Sequence, residues 1–173
     1  AKDKVFQAES ALADNLASDA YSDGTATSSK QIDGLEAVVA TTNTSGTYAS
    51  INFGDNTKWR NQVTTGVGNA AANLLPNLRT VYNDCTEVAG VQGAPDGIFT
   101  TQSFAEALES IVQPAIRYTP GGTGELGIAP VYRGAEIHWE AKCTSGMMYV
   151  LNSNHLFHFV HRDANLSMNP EGF

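Results

Sequence analysis

Apolar residues recur on one side of a helix from Asp3 to Tyr21. Val5, Leu12, Leu16 and Ala20 form the stripe, with Ala8 and Ala13 beside it. Gly24 follows within a few residues and can take the left-handed conformation that stops a helix. At 1.5 Å per residue such a helix is roughly 28 Å long. That is too long for a small loop to cover, so it is expected to lie across a sheet or a neighbouring subunit.

The pattern then weakens. From residue 25 to 61 there is little periodicity, and Ile32, Leu35, Val38 and Val39 suggest one short element packed on the body. Asn43-Thr44-Ser45-Gly46 reads as a turn or loop. Three- and four-residue steps return between Asn69 and Val88, through Leu74, Leu78, Val81, Cys85 and Val88. Pro76 is expected in the first turn of that helix or at a kink. Gly97-Ile98-Phe99-Thr100 reads as a short core strand. Ser103 with Glu106 reads as a capping box that opens a helix to about Val112, with Pro114 ending it and a strand from Ala115 to Tyr118.

Beyond the Gly-rich loop 121–127 the character changes to strand. Ala129–Tyr132, Ala135–Trp139, Met147–Leu151 and Leu156–His161 are the candidates, with turns at Arg133-Gly134 and Thr144-Ser145-Gly146. Strands and helices joined by short connections argue for a mixed helix-and-sheet domain, α/β or α+β.

Composition narrows the function. The chain has 173 residues, enough for one domain or two joined subdomains. Apolar residues make up 42%, ample for a core, while charged residues reach only 16%, so the surface relies on Asn, Thr, Ser and Gly. Surfaces of that kind often meet other protein. The net charge is −8, and only Lys2/Lys4 and Lys58/Arg60 bring basic residues close together in sequence. Gripping phosphates takes clustered Lys and Arg, so specific nucleic-acid binding is not expected. No apolar run approaches the ~20 residues of a membrane span. The chain opens already inside a helical pattern, as a piece of a longer product would.

The motifs that suggest chemistry lack their context. Gly122, Gly124 and Gly127 match a dinucleotide loop in spacing, but strands rather than a helix follow. His161-Arg162-Asp163 matches the start of a kinase catalytic loop, yet Met168 stands where the magnesium-binding Asn belongs. His155, His158 and His161, with His138, invite a metal site, but on an extended strand His158 points opposite to His161. Cys85 and Cys143 are far apart and read as small buried hydrophobes. No nucleophile elbow and no zinc-protease motif occurs. The expectation is a protein that is not an enzyme, with no catalytic, cofactor or metal residues. Trp59, Arg60, Asn43 and Thr44 are its expected packing or interface residues, Trp59 as a buried packing anchor.

The order of features resembles that of a tailed-phage major capsid protein of the Hong-Kong-97-type fold. The resemblance rests on the helix ending in Tyr21-Ser22-Asp23-Gly24-Thr25, then Gln31-Ile32-Asp33-Gly34-Leu35 and Trp59-Arg60-Asn61. Pro95-Asp96-Gly97-Ile98-Phe99 up to Phe104, Tyr132-Arg133-Gly134-Ala135-Glu136-Ile137 and Gly146-Met147-Met148-Tyr149-Val150-Leu151-Asn152 continue it. It covers nearly the whole chain. Ala49-Ser50-Ile51 stands where that family commonly has Gly-Gly-Ile, and the acidic residue often found after the Gly134 strand is displaced to Trp139-Glu140.

The resemblance implies an α+β fold with a spine helix over 1–24 in the peripheral domain. An axial domain over 25–130 would hold a central sheet flanked by helices, and 131–173 would be a β-rich return towards the peripheral domain. The family's N-terminal arm, extended loop and further peripheral strands find no counterpart in these residues. The function implied is structural: a major capsid subunit that assembles as pentamers and hexamers into a virion shell around double-stranded DNA. Assembly would take place in the bacterial cytoplasm. Its partners would be copies of itself, with scaffolding, portal or decoration proteins, DNA only non-specifically and no membrane. The alternative is a non-viral α/β binding protein or an encapsulin-like compartment shell.

Overall fold

The computed structural model describes residues 2–26, 31–68, 70–89, 93–116, 131–157 and 159. Its first element is α1, Lys2–Asp19. A single helical turn α2, Leu35–Val38, follows. Next comes a two-residue hairpin, β1 (Thr47–Tyr48) with β2 (Ile51–Asn52), and a 3-10 turn over Thr57–Trp59. The body is built from α3 (Ala71–Ala89), β3 (Gly97–Thr100), α4 (Gln102–Ile116), β4 (Val131–Tyr132), β5 (Ala135–Trp139) and β6 (Met148–Leu151). A 3-10 turn over Ser153–His155 follows β6.

The sheet order is β4-β5-β3-β6. β3 runs parallel to β5 and antiparallel to β6, with Ile98 beside Ile137 on one side and Val150 on the other. Alternation along these strands puts Ile98, Ile137, Ala135 and Val150 on one face. That face carries both helices. Leu74, Leu78 and Tyr82 of α3 and Leu108 of α4 pack there with Ile98, Ala135 and Ile137 as one buried cluster. Phe104 and Ile111 of α4 close its margin. The fold is therefore mixed helix and sheet, with strands β4–β6 completing the sheet that β3 begins.

Several elements differ from their sequence signals. α4 starts at Gln102, with the Thr101 carbonyl accepting from Phe104 and Ala105, so Ser103 lies inside the first turn. Glu106 pairs with Gln102 instead, Nε2 to Oε1 at 2.7 Å. Pro114 does not stop this helix, which runs on to Ile116, so the expected strand does not form at Ala115–Ile116. Residues 117–118 lie outside the described residues. The reason is that proline's fixed φ suits a helix, and the ring removes one hydrogen bond without reversing the chain.

Pro76 sits well inside α3, beyond the first turn, with helix on both sides. Leu156, Phe157 and Phe159 are irregular rather than strand, because the chain leaves β6 through the turn Ser153–His155. The rest of that expected strand lies outside the described residues.

Candidate assembly surface

Residues 40–61 form a small closed module. Asn43 Nδ2 donates to the Asn61 carbonyl at 2.9 Å, and Asn61 Nδ2 donates to the Ala40 carbonyl at 3.0 Å, so two amides tie the ends together. Phe53 is the buried plug, and its amide donates to the Gly46 carbonyl. Arg60 closes the module from outside. Its Nε donates to the Phe53 carbonyl at 2.6 Å and its Nη2 to that of Gly54 at 2.9 Å. The hairpin turn within it puts both Ala49 (φ 50°) and Ser50 (φ 65°) in the left-handed region.

The four expected interface residues therefore divide. Asn43 and Arg60 are half-buried and spend their donors on the module itself. Thr44 is exposed. Trp59 is not the buried anchor that its ring suggested: it is 49% exposed, carried on a one-turn 3-10 element with no buried residue. A three-residue 3-10 turn has no second layer of side chains against which to sink an indole. Trp59 and Thr44 are thus the two that face outwards.

A larger surface lies on α1. From Asp3 to Asn15 every residue is exposed, with Val5 at 45%, Phe6 at 72% and Leu12 at 46%. The helix does not lie across the sheet of its own chain. It is held at its C-terminal end, where the Leu35 amide donates to the Ala20 carbonyl at 2.8 Å and Thr144 Oγ1 donates to the Tyr21 carbonyl at 3.0 Å. Gln31 Nε2 adds a bond to Asp19. Tyr21 packs on Tyr149, centroids 6.1 Å apart, and burial pushes the Tyr21 phenol up to about 12.

The last tie fixes which way the helix faces. Lys142 Nζ reaches Asp14 Oδ2 at 2.8 Å. Asp14 follows Val5 by nine residues, two and a half turns at 3.6 residues per turn, and so lies on the opposite side of the helix. Asp14 is turned to the body and the Val5–Leu12 side away from it. Sequence periodicity found this stripe but not Phe6, which stands outside it.

Further apolar side chains are exposed at Val131, Trp139, Leu156 and Phe157. Their signal in sequence was only that each sits at or beyond the end of a strand, where the core no longer covers alternate residues. On the sheet face away from the helices, Phe99 stacks on His138 at 5.5 Å, and His138 Nε2 lies 3.3 Å from Glu136 Oε2. A cleft of about 500 Å³ opens between residues 62–68, α3 and β6, lined among others by Val67, Leu74, Val81, Phe104 and Met148.

His138 and His155 lie on β5 and on the turn Ser153–His155, while His158 and His161 fall outside the described residues. So do Gly122, Gly124 and Gly127 and the rest of the His161-Arg162-Asp163 sequence. Among the described residues no group of three or more His, Cys, Asp or Glu is arranged to hold a metal. No described helix is long and apolar enough to cross a membrane. Cys143 is buried and its thiol is pushed up to about 11 by that burial, with Glu140 adding to the effect. Cys85 is half-buried, its thiol also raised by burial, rather than fully inside as its helical register suggested.

Comparison with protein-family models, with curated proteins and with solved structures finds no match in any of the three.

Proposed function

We propose that this chain is a structural subunit of a protein shell, a major capsid protein of the Hong-Kong-97 type from a tailed phage. The observation that carries the reading is α1, an 18-residue helix on which Val5, Phe6 and Leu12 are left exposed by its own chain. A solitary helix of that length is marginal in water, and in proteins helices persist because an apolar face is packed. A face left open by its own chain is one that other protein covers. The mixed helix-and-sheet body and the order of motifs from Tyr21 to Asn152 agree with the same reading.

In this reading the chain's work is mechanical. Many copies, joined by individually weak contacts, close into pentamers and hexamers because symmetry repeats each contact. The net charge of −8 keeps the packaged DNA from adhering to the wall. Scaffolding, portal or decoration proteins are the further partners, and the virion is the place of action. Electron microscopy of the full-length product tests this: shells or rings support it, and a stable monomer at high concentration with any scaffold supplied overturns it.

A second reading rests on the apolar cleft beside β6. At about 500 Å³ it falls in the size range of small-molecule sites, and it would suit an α/β binding module. Saturable binding of an apolar fluorescent probe, abolished by Leu78→Trp with the fold intact, would favour that reading.

A further inference from the structure

We infer that the cleft between residues 62–68, α3 and β6 takes an uncharged amphiphile, an apolar body that carries a hydroxyl, carbonyl or amide group. The inference rests on the second reading above and names the ligand class for it, while the shell reading does not enter. It starts from charge. No Asp, Glu, Lys, Arg or His lines this cleft of about 500 Å³.

Floor and rim differ in what they offer. Leu74, Phe104 and Met148, which also pack in or against the core, form an apolar floor together with Val81. At the rim Gln62 is half-buried and Thr64 and Thr65 are exposed. Among the described residues their side chains meet no hydrogen-bond partner, so one amide and two hydroxyls remain to both donate and accept. A neutral head group exchanges hydrogen bonds with such a rim and needs no counter-charge.

An ion fits poorly. A carboxylate or an ammonium drawn out of water loses hydration, and no opposite charge in the cleft offsets the loss. Arg60, two positions before Gln62, is spent on the carbonyls of Phe53 and Gly54. The mouth is also preformed. Asn61 Nδ2 holds the Ala40 carbonyl at 3.0 Å, and Ala40 and Gln62, on either side of that tie, both line the cleft. A ligand therefore does not have to order this wall on entry.

Calorimetric titration of the intact chain with decanol, decanoate and decylammonium at pH 7 isolates the charge, since the three share one apolar chain and the two ions are fully charged there. About 0.15 M salt screens the net charge of −8 beyond roughly 8 Å. The expected result is one decanol per chain, bound several-fold more tightly than either ion. Binding is lost in Val81→Trp, which fills the floor, and in Thr65→Trp, which blocks the rim from an exposed position and keeps the test valid should the first variant disturb the fold. Thr64→Lys places an ammonium at the rim and is expected to close the gap for decanoate alone. Equal binding of all three, lost in the Trp variants, overturns the ligand class and leaves the cleft as a binding site, as does a decanoate gap that Thr64→Lys does not narrow. Absence of binding, or binding that both Trp variants retain, overturns the inference together with the second reading.

Discussion

Gly34 lies so close to the last turn of α1 that a Cβ on it would fall 2.3 Å from the Asp19 carbonyl oxygen and 2.7 Å from the Ala20 carbonyl carbon. The next residue completes the joint, the Leu35 amide bonding the Ala20 carbonyl. Both groups in the way are backbone and cannot swing aside. Gly34→Ala is expected to destabilise the chain by roughly 1–3 kcal/mol, as overpacking does. Urea unfolding of the two proteins gives the number. A loss below about 0.5 kcal/mol, the scale of ordinary surface changes, would mean that the joint is looser than described.

Trp59→Ala is a milder change than the ring's size suggests. Because half of the side chain is already in water, only part of the burial term is at stake, and the expected cost is about 1 kcal/mol. A cost of 3–5 kcal/mol, the range for a buried Trp, would restore the packing anchor expected from sequence.

The Ala49-Ser50 turn holds two non-glycine residues at positive φ. Left-handed backbone costs an L-residue roughly 1–2 kcal/mol, and the added freedom of glycine in the unfolded chain takes back part of that. The double replacement Ala49→Gly with Ser50→Gly is expected to stabilise by about 0.5–1 kcal/mol, seen as a higher denaturant midpoint at unchanged slope. A lower midpoint would show that the turn is not strained.

Asp96 joins the start of β3 to the exit from β6. Its carboxylate accepts the Ser153 amide at 2.8 Å and the Ser153 hydroxyl, and those bonds hold its carboxyl below the ordinary 3.8. A carboxyl depressed in the folded state binds its proton more weakly there than in the unfolded chain. Its contribution is thus complete above the unfolded value and fades as pH falls through 3.8 towards the folded one. The midpoint of Asp96→Asn should depend less on pH in that acid range than the parent's. Identical slopes would remove Asp96 from the acid response.

Much of this architecture was legible in the chain. Leu74 and Leu78 signalled the core by spacing and Ile98 by its short apolar strand, and the Arg133-Gly134 hairpin announced itself by its glycine. Failures came where a local rule met a competing term. Pro114 is a helix breaker in general, but α4 keeps its register through it to Ile116. Trp59 is a core residue by type, yet a three-residue turn gives it nothing to sink into. Of the four expected interface residues, Asn43 and Arg60 are consumed by backbone carbonyls that no periodicity reveals.

The side to which α1 turns could not be read from sequence at all. It depends on Asp14 meeting Lys142, 128 positions away.

That orientation is also what the account depends on most, and Val5→Asp with Leu12→Asp probes it. Sedimentation velocity and electron microscopy of the double variant, beside its urea midpoint, give the decisive comparison. The expected result is loss of assembly with subunit stability altered by no more than about 0.5 kcal/mol, as for exposed positions. Assembly unchanged, or a loss of stability on the scale of a disrupted core, would contradict it.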